Sequence, residues 1–408
     1  MNTRSSSNAS GAPRQLAWLS LAMFLGMTLW FSATAATAPI VAEFRLTPGD
    51  AAWLTMAVQA GFVVGTLVSA LLTLPDVINP RHLFAIGCGV GAAANALLVF
   101  ADGAVALIAL RMITGVALAC VYPPGMKVAA GWFERRRGAA LGILIGALTI
   151  GSAFPHLLAA AAARIPWRTL MLAASALALG GSAVVVRLVG DGPFVATTAR
   201  FDPRGVAQVF ANRGTRLATL GYLGHMWELY AMWTWIAAFA TASLLPLSRG
   251  VAAPASRAGS AMAFLTIGSG AIGSAAAGWW ADAFGKARIA RWAMAVSGLC
   301  AAASGLVFGA PAWVLALFAI VWGVAVVADS AQLSALVAQY SPRDHVGTAL
   351  TIQTCLGFLL TMASIRLVPV LARTVGWQWV FLLLVPGPAL GAFALATLDD
   401  RGAIARQE

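Results

Sequence analysis

Apolar stretches of about twenty residues recur along the whole chain, and each is long enough to cross the hydrocarbon core of a bilayer as a helix. We read twelve such spans, the first over 16–41 and the last over 377–397, separated by short breaks rich in Pro, Gly and Arg. Only 10% of the residues are charged, against about 25% in an ordinary soluble domain. A water-facing surface cannot be covered with so few charges. The stretches show no period-two alternation, which argues against a β-barrel. The expectation is an all-α polytopic membrane protein with twelve transmembrane helices.

An even number of spans puts both termini on one side. If that side is the cytoplasm, 17 of the 26 Lys and Arg fall in cytoplasmic segments, six in external ones and three inside spans. That asymmetry follows the positive-inside rule. It accounts for the net charge of +12 without nucleic acid, because the arginines are dispersed over loops rather than gathered on one face. The expected setting is a cell inner membrane, with the bilayer, protons and a small-molecule substrate as partners, no cofactor, and the chain acting as a monomer. Residues 1–15 are polar and read as a tail without a cleavable signal. The four cysteines lie inside spans without paired spacing and read as small apolar residues, not as metal ligands or a disulfide.

The longest polar interval, 190–215, divides the spans into 16–189 and 216–397, with a short tail over 398–408. The two parts resemble each other. "AAGWFERRRGAALGI" (129–143) matches "AQYSPRDHVGTALTI" (338–352) at an offset of 209, which places Gly138 on Gly347, Ala140 on Ala349, Leu141 on Leu350 and Ile143 on Ile352. Further on, Trp167 in "PWRTLML" falls on Trp377 in "GWQWVFL". Two matches in one order at nearly one offset point to a duplicated six-helix unit. Halves of this kind are typical of transporters with a site at their interface.

With these spans, this loop and these halves, the chain resembles the major facilitator superfamily. The family's loop motif, Gly-x-x-x-Asp-x-x-Gly-Arg/Lys, is matched in the second half by Gly278, Asp282, Gly285, Lys286 and Arg288. In the first half "LPDVINPRH" keeps Asp76 and Arg81 but lacks the glycines. Arg111 and Gly115 match the Arg-x-x-x-Gly pattern of span four. The resemblance implies two pseudo-symmetric six-helix bundles rocking about a central site, with the loop residues in a gating role. It also implies that Arg111 is structural or takes part in proton coupling. In span five Gly142, Gly151 and Pro155 partly match an antiporter motif, whose Gly-Pro pair and final Gly-Gly are missing. The glycines of the loop motif would permit a tight turn between helices, and Asp282 could pair with Lys286 or Arg288.

A charge inside a bilayer needs a partner, a water-filled cavity or a function. The candidates are Arg111, Lys127, His156, His225, Glu228, Asp329 and Arg366. His225 and Glu228 are three residues apart and share a helix face; with Asp329 they are the expected proton-coupling groups. The alternatives are a packing pair for the first two and a salt bridge from Asp329 to Lys127 or Arg111. Lys127 follows two prolines that force a kink; it would hold an anion in a cavity or snorkel to the interface. Arg366 would snorkel outward. The expected substrate wall is Lys127, Arg111, Tyr122, Trp235, Gln59 and Gln332, and the aromatic residues of span seven favour a ring-bearing solute. No phosphate-binding loop and no catalytic motif occurs, so an enzyme is not expected. The functional expectation is a proton-coupled secondary transporter taking up a small organic metabolite, an anion if Lys127 and Arg111 face it and a cation if Glu228 and Asp329 do. An efflux antiporter is the runner-up, and a channel or a transporter-like sensor stands further behind.

Overall fold

A computed structural model describes residues 11–134, 136–161, 165–194, 201–248 and 250–398, and among these there is no strand. Most of both expected tails lies outside the described residues. Helices α1 (Ala12–Met27), α2 (Ser32–Ala35) and α3 (Thr37–Phe44) make a first crossing that is broken twice. Then follow α4 (Pro48–Leu71), the short loop helix α5 (Leu74–Val77) and α6 (Pro80–Leu97). The fourth crossing is α7 (Ala104–Ala119) with α8 (Tyr122–Trp132); α9 (Arg137–Ala161) and α10 (Trp167–Leu188) complete the first half. After the short α11 (Val206–Ala211), the second half runs through α12 (Arg213–Leu244), α13 (Ala252–Phe284) and α14 (Lys286–Ala303). It ends with α15 (Ala312–Ala328), α16 (Ser330–Tyr340), α17 (Val346–Trp379) and α18 (Pro386–Ala396).

Local chemistry sets many of these ends. Thr47 and Asp50 form a capping box at α4: the Asp50 carboxylate accepts from Thr47 N at 3.0 Å, and Thr47 Oγ1 accepts from Asp50 N at 3.2 Å. Pro48 then occupies the first turn, where its missing N–H costs nothing. Asn212 caps α12 by accepting from Thr215 N at 3.1 Å. Gly285, at φ 89°, makes the turn between α13 and α14, as the loop glycines led us to expect.

Nine helical stretches among the described residues are long and apolar enough to cross a membrane. One of them, Arg343–Ala396, has 54 residues, too many for a single crossing; its backbone turns back at Gly376, at φ 75°. The broken first crossing contains no single long helix, and α12 is diluted by its polar and aromatic residues. With these two added and the long stretch counted as a folded-back pair, the chain is consistent with twelve crossings.

The halves meet along two seams, α9 against α13 and α4 against α17. Duplication by six helices carries the second crossing onto the eighth and the fifth onto the eleventh, so the two seams are counterparts. Between α9 and α13 the backbones nearly touch. A Cβ on Gly278 would stand 2.9 Å from the Gly138 carbonyl oxygen, and one on Gly142 would stand 2.8 Å from that of Ser274. Ser274 Oγ donates to Gly142 O at 2.8 Å. Small residues are what permits such approach in a bilayer, where helices gain little from hydrophobic burial.

Candidate transport site

The fourth and tenth crossings break at matching places. α7 ends at Ala119 and α15 at Ala328, the same offset of 209 that aligned the halves. In the fourth crossing the break precedes Pro123 and Pro124, which have no N–H to continue the ladder and serve instead as the first turn of α8. In the tenth it falls on Asp329, where no Pro or Gly stands. A cavity lies beside both breaks. The first half lines it with Tyr122, Ile145, Leu148 and Thr149; the second adds Tyr222, His225, Tyr230, Trp233, Ser330 and Phe358, among others. Interrupted helices at equivalent positions of two halves mark the place where a transporter's site is to be sought.

Three titratable groups of the second half gather here. His225 Nδ1 lies 2.8 Å from Asp329 Oδ1, but the approach is off the axis of a proper hydrogen bond. The other ring nitrogen, Nε2, is 2.8 Å from Ser330 Oγ. One turn along α12, Glu228 Oε1 accepts from the indole N–H of Trp322 at 2.8 Å. His225, Glu228 and Asp329 are each 2% exposed, so the two acids share a buried site of limited hydrogen-bonding capacity. The seventh and tenth crossings run antiparallel, which is why His225 and Glu228, three apart, meet Asp329 and Trp322, seven apart. Asp329 therefore faces His225, where a salt bridge to Lys127 or Arg111 had been the alternative.

Next to this cluster stands an aromatic one. Trp30 and Tyr230 stack at 5.7 Å and Phe31 and Tyr230 at 6.3 Å, while Phe358 packs on Phe62 at 4.5 Å and on Tyr230 at 5.1 Å. These rings come from both halves. Trp30 and Phe31 are lesser candidates for a cavity wall on the sequence, and Ser330 is one of the polar neighbours of Asp329; Trp322 and Phe358 do not stand out, because aromatic residues inside apolar runs do not distinguish a cavity wall from ordinary packing.

The expected substrate wall divides. Tyr122 lines the cavity. Gln59 is fully buried one turn before Phe62, and Gln332 is buried in the first turn of α16. Arg111 is fully buried and ties the broken first crossing to the second: Nη1 donates to Leu29 O at 2.9 Å and Nη2 to Trp30 O in the first, and Nε to Leu54 O at 3.0 Å in the second. Asn95 and Ser32 extend that network, with Ser32 Oγ donating to Asn95 Oδ1 at 2.7 Å. Lys127 pairs with Asp76 at 2.5 Å and donates to Pro75 O at 2.9 Å. Trp235 donates to Ile365 O at 2.9 Å and packs on Trp377 at 6.0 Å.

Arg81 and Lys286 reach their own half or the central interval, whereas Gly278 faces the other half. Arg81 meets Asp191 through two bonds of 2.8 Å and also reaches Val189 O at 2.6 Å. The Arg81 guanidinium holds the Asp191 carboxyl below its usual range. Lys286 donates to Gln339 at 3.3 Å, Arg288 is exposed, and Gly278 belongs to the α9–α13 seam. The side chain of Asp282 lies outside what the structure describes. At the opposite end of the molecule the Arg366 guanidinium rests on Gly49, so close that a Cβ there would come within 2.7 Å of Nη1.

The sequence model of the Major Facilitator Superfamily matches residues 19–251 and 232–408, which together take in nearly the whole chain. The chain belongs to the major facilitator superfamily. The crystal structure of a mutant of the nucleoside transporter NupG superposes with a TM-score of 0.69 at 16% identity, covering 94% of this chain and 99% of that one. At that identity the likeness is one of fold. No curated protein matches in sequence. This major facilitator protein is thus a multi-pass membrane transporter with the superfamily's fold, and the two resembling halves are its two helical bundles.

Proposed function

We propose that this major facilitator protein is a proton-coupled symporter that imports a small, ring-bearing organic solute by alternating access, with both termini in the cytoplasm. The observation that carries the reading is the burial of Glu228 and of the His225–Asp329 pair beside a cavity to which both halves contribute. A bare carboxylate is costly to carry between two water-exposed states through a closed one. Protonation of Glu228 and Asp329 removes that cost. Coupling follows if closure is easy only when the acids are protonated and solute fills the cavity.

The aromatic wall supports a flat solute, since stacked and edge-on rings are the contact surface such a molecule uses. The anionic alternative left open by the sequence loses support, because Arg111 is engaged by backbone carbonyls and Lys127 by Asp76. An uncharged solute suits the site better. Import is supported by the incomplete antiporter motif of the fifth crossing, and the orientation by the cytoplasmic excess of arginine.

The test is uptake into proteoliposomes from pools of neutral, anionic and cationic ring compounds, with and without an inward proton gradient. Gradient-driven accumulation of the neutral pool is expected, and it should fall to the gradient-free level in Glu228→Gln and Asp329→Asn. If both variants accumulate solute like the wild type, these acids do not carry the protons.

A further inference from the structure

Six polar atoms around the aromatic cluster have no hydrogen-bond partner: both side-chain atoms of Gln59, both ring nitrogens of His156, and the indole nitrogens of Trp30 and Trp233. Gln59 and His156 are 0% exposed, and the two tryptophans 1%. Buried polar groups are nearly always satisfied, so a group of exceptions calls for an explanation. These six are not scattered. His156 and Trp233 both contact Phe31, at ring separations of 6.4 and 5.8 Å. Trp30 lies 5.1 Å from Phe62, one turn along α4 from Gln59. Trp30 and Trp233 both pack on Tyr230, and Tyr230 and Trp233 line the cavity.

The chemistry of the six is specific. A neutral imidazole presents one donor and one acceptor, a primary amide presents both kinds, and each indole presents a donor alone. A side-chain amide such as that of Gln59 matches a ring amide, –NH–C(=O)–, by two parallel hydrogen bonds. The indoles add donors for a further carbonyl or ring nitrogen. None of the four side chains carries a fixed charge. Arg111, the neighbouring cation, is spent on carbonyls of the first and second crossings.

We propose that Gln59, His156, Trp30 and Trp233 form the hydrogen-bonding wall of the solute site, shaped for a flat, uncharged heterocycle that carries a ring amide. The proposal rests on the reading of the chain as a solute transporter and adds the substrate class and the residues that select it. The heterocycle enters between the rings of Trp30, Phe31 and Tyr230, which part to admit it, and its polar edge satisfies the groups now left without partners. His156 and Gln59 are specificity residues, distinct from the proton-carrying acids.

The experiment measures equilibrium binding of radiolabelled uracil and hypoxanthine to the purified full chain at neutral pH, with benzoate and benzylamine as charged ring controls. The same measurements are made on Gln59→Leu and His156→Leu, with thermal melting of each protein in the absence of ligand. Wild type should bind a heterocycle and neither control. Each variant should bind about tenfold more weakly or worse, in line with the loss of one or two hydrogen bonds. The ligand-free melting temperature should hold or rise, because an apolar side chain replaces an unsatisfied polar one. Preference for benzoate or benzylamine, or variants that bind the heterocycle like wild type, would overturn the proposal. So would a fall in melting temperature that accompanies the loss of binding, since it would make these residues part of the folded framework. Binding is read without a proton gradient, so it can succeed where proton coupling fails, and the reverse.

Discussion

Trp322 of α15 donates its indole N–H to Glu228 of α12 at 2.8 Å, so the buried acid of the seventh crossing is held by the tenth. Glu228→Gln keeps a carbonyl oxygen in the accepting position. Its melting temperature should therefore stay close to that of wild type while gradient-driven accumulation is lost and solute counterflow persists. Glu228→Leu strands the indole N–H and should cost about 1–3 kcal/mol. Melting curves beside paired uptake and counterflow assays separate the two effects.

Arg111 joins crossings one, two and four by donating to Leu29 O and Trp30 O at the break in the first crossing and to Leu54 O in the second. Arg111→Lys offers three donors from one point where a planar fork is required. We expect a stability loss of about 3 kcal/mol, the scale of hydrogen bonds to a charged group, read as an earlier melting transition. A variant that melts like wild type but no longer transports would instead point to a direct part in transport.

The Arg81–Asp191 tie should respond to acid. Its carboxyl titrates below the ordinary Asp range in the folded chain, so the tie contributes stability above the unfolded value and loses it as the pH falls through the folded one. Both groups are partly exposed, and the contribution is therefore at most about 1 kcal/mol. Wild type and Asp191→Asn should differ in melting temperature at pH 7 and converge in acid.

Gly142→Val places a Cβ 2.8 Å from the Ser274 carbonyl oxygen, and that neighbour is backbone that cannot swing away. Overpacking of this kind costs about 1–3 kcal/mol. Transport should fall with it, while substitution of Gly89, which has open space about its Cβ position, should leave uptake intact.

The crossings were legible because hydrophobicity over twenty residues does not depend on what the helix touches. The duplication was legible at Gly138 and Gly347, and the offset measured there reappears in the paired helix breaks. The proline break in the fourth crossing could be read; its counterpart at Asp329 could not, since no breaker residue marks it. Partners across long sequence separations stayed hidden. Lys127 finds Asp76, and Arg111 finds backbone carbonyls, which every residue possesses and no sequence distinguishes. His225, Glu228 and Asp329 stood out as costly charges in apolar runs, but their mutual placement required the packed helices. His156 stood out for the same reason, and its want of a partner could be seen only once its neighbours were in place.

The contact between Gly138 and Gly278 bears on how fast the halves could exchange positions. Where carbonyl meets Cα directly there are no rotamers to unlock, so sliding one helix past the other would be opposed by main-chain contact and by the one hydrogen bond from Ser274 to Gly142 O. In a transporter whose halves rock, such a surface would serve as a dry bearing that sets the line of travel, with the Ser274–Gly142 hydrogen bond as its single catch.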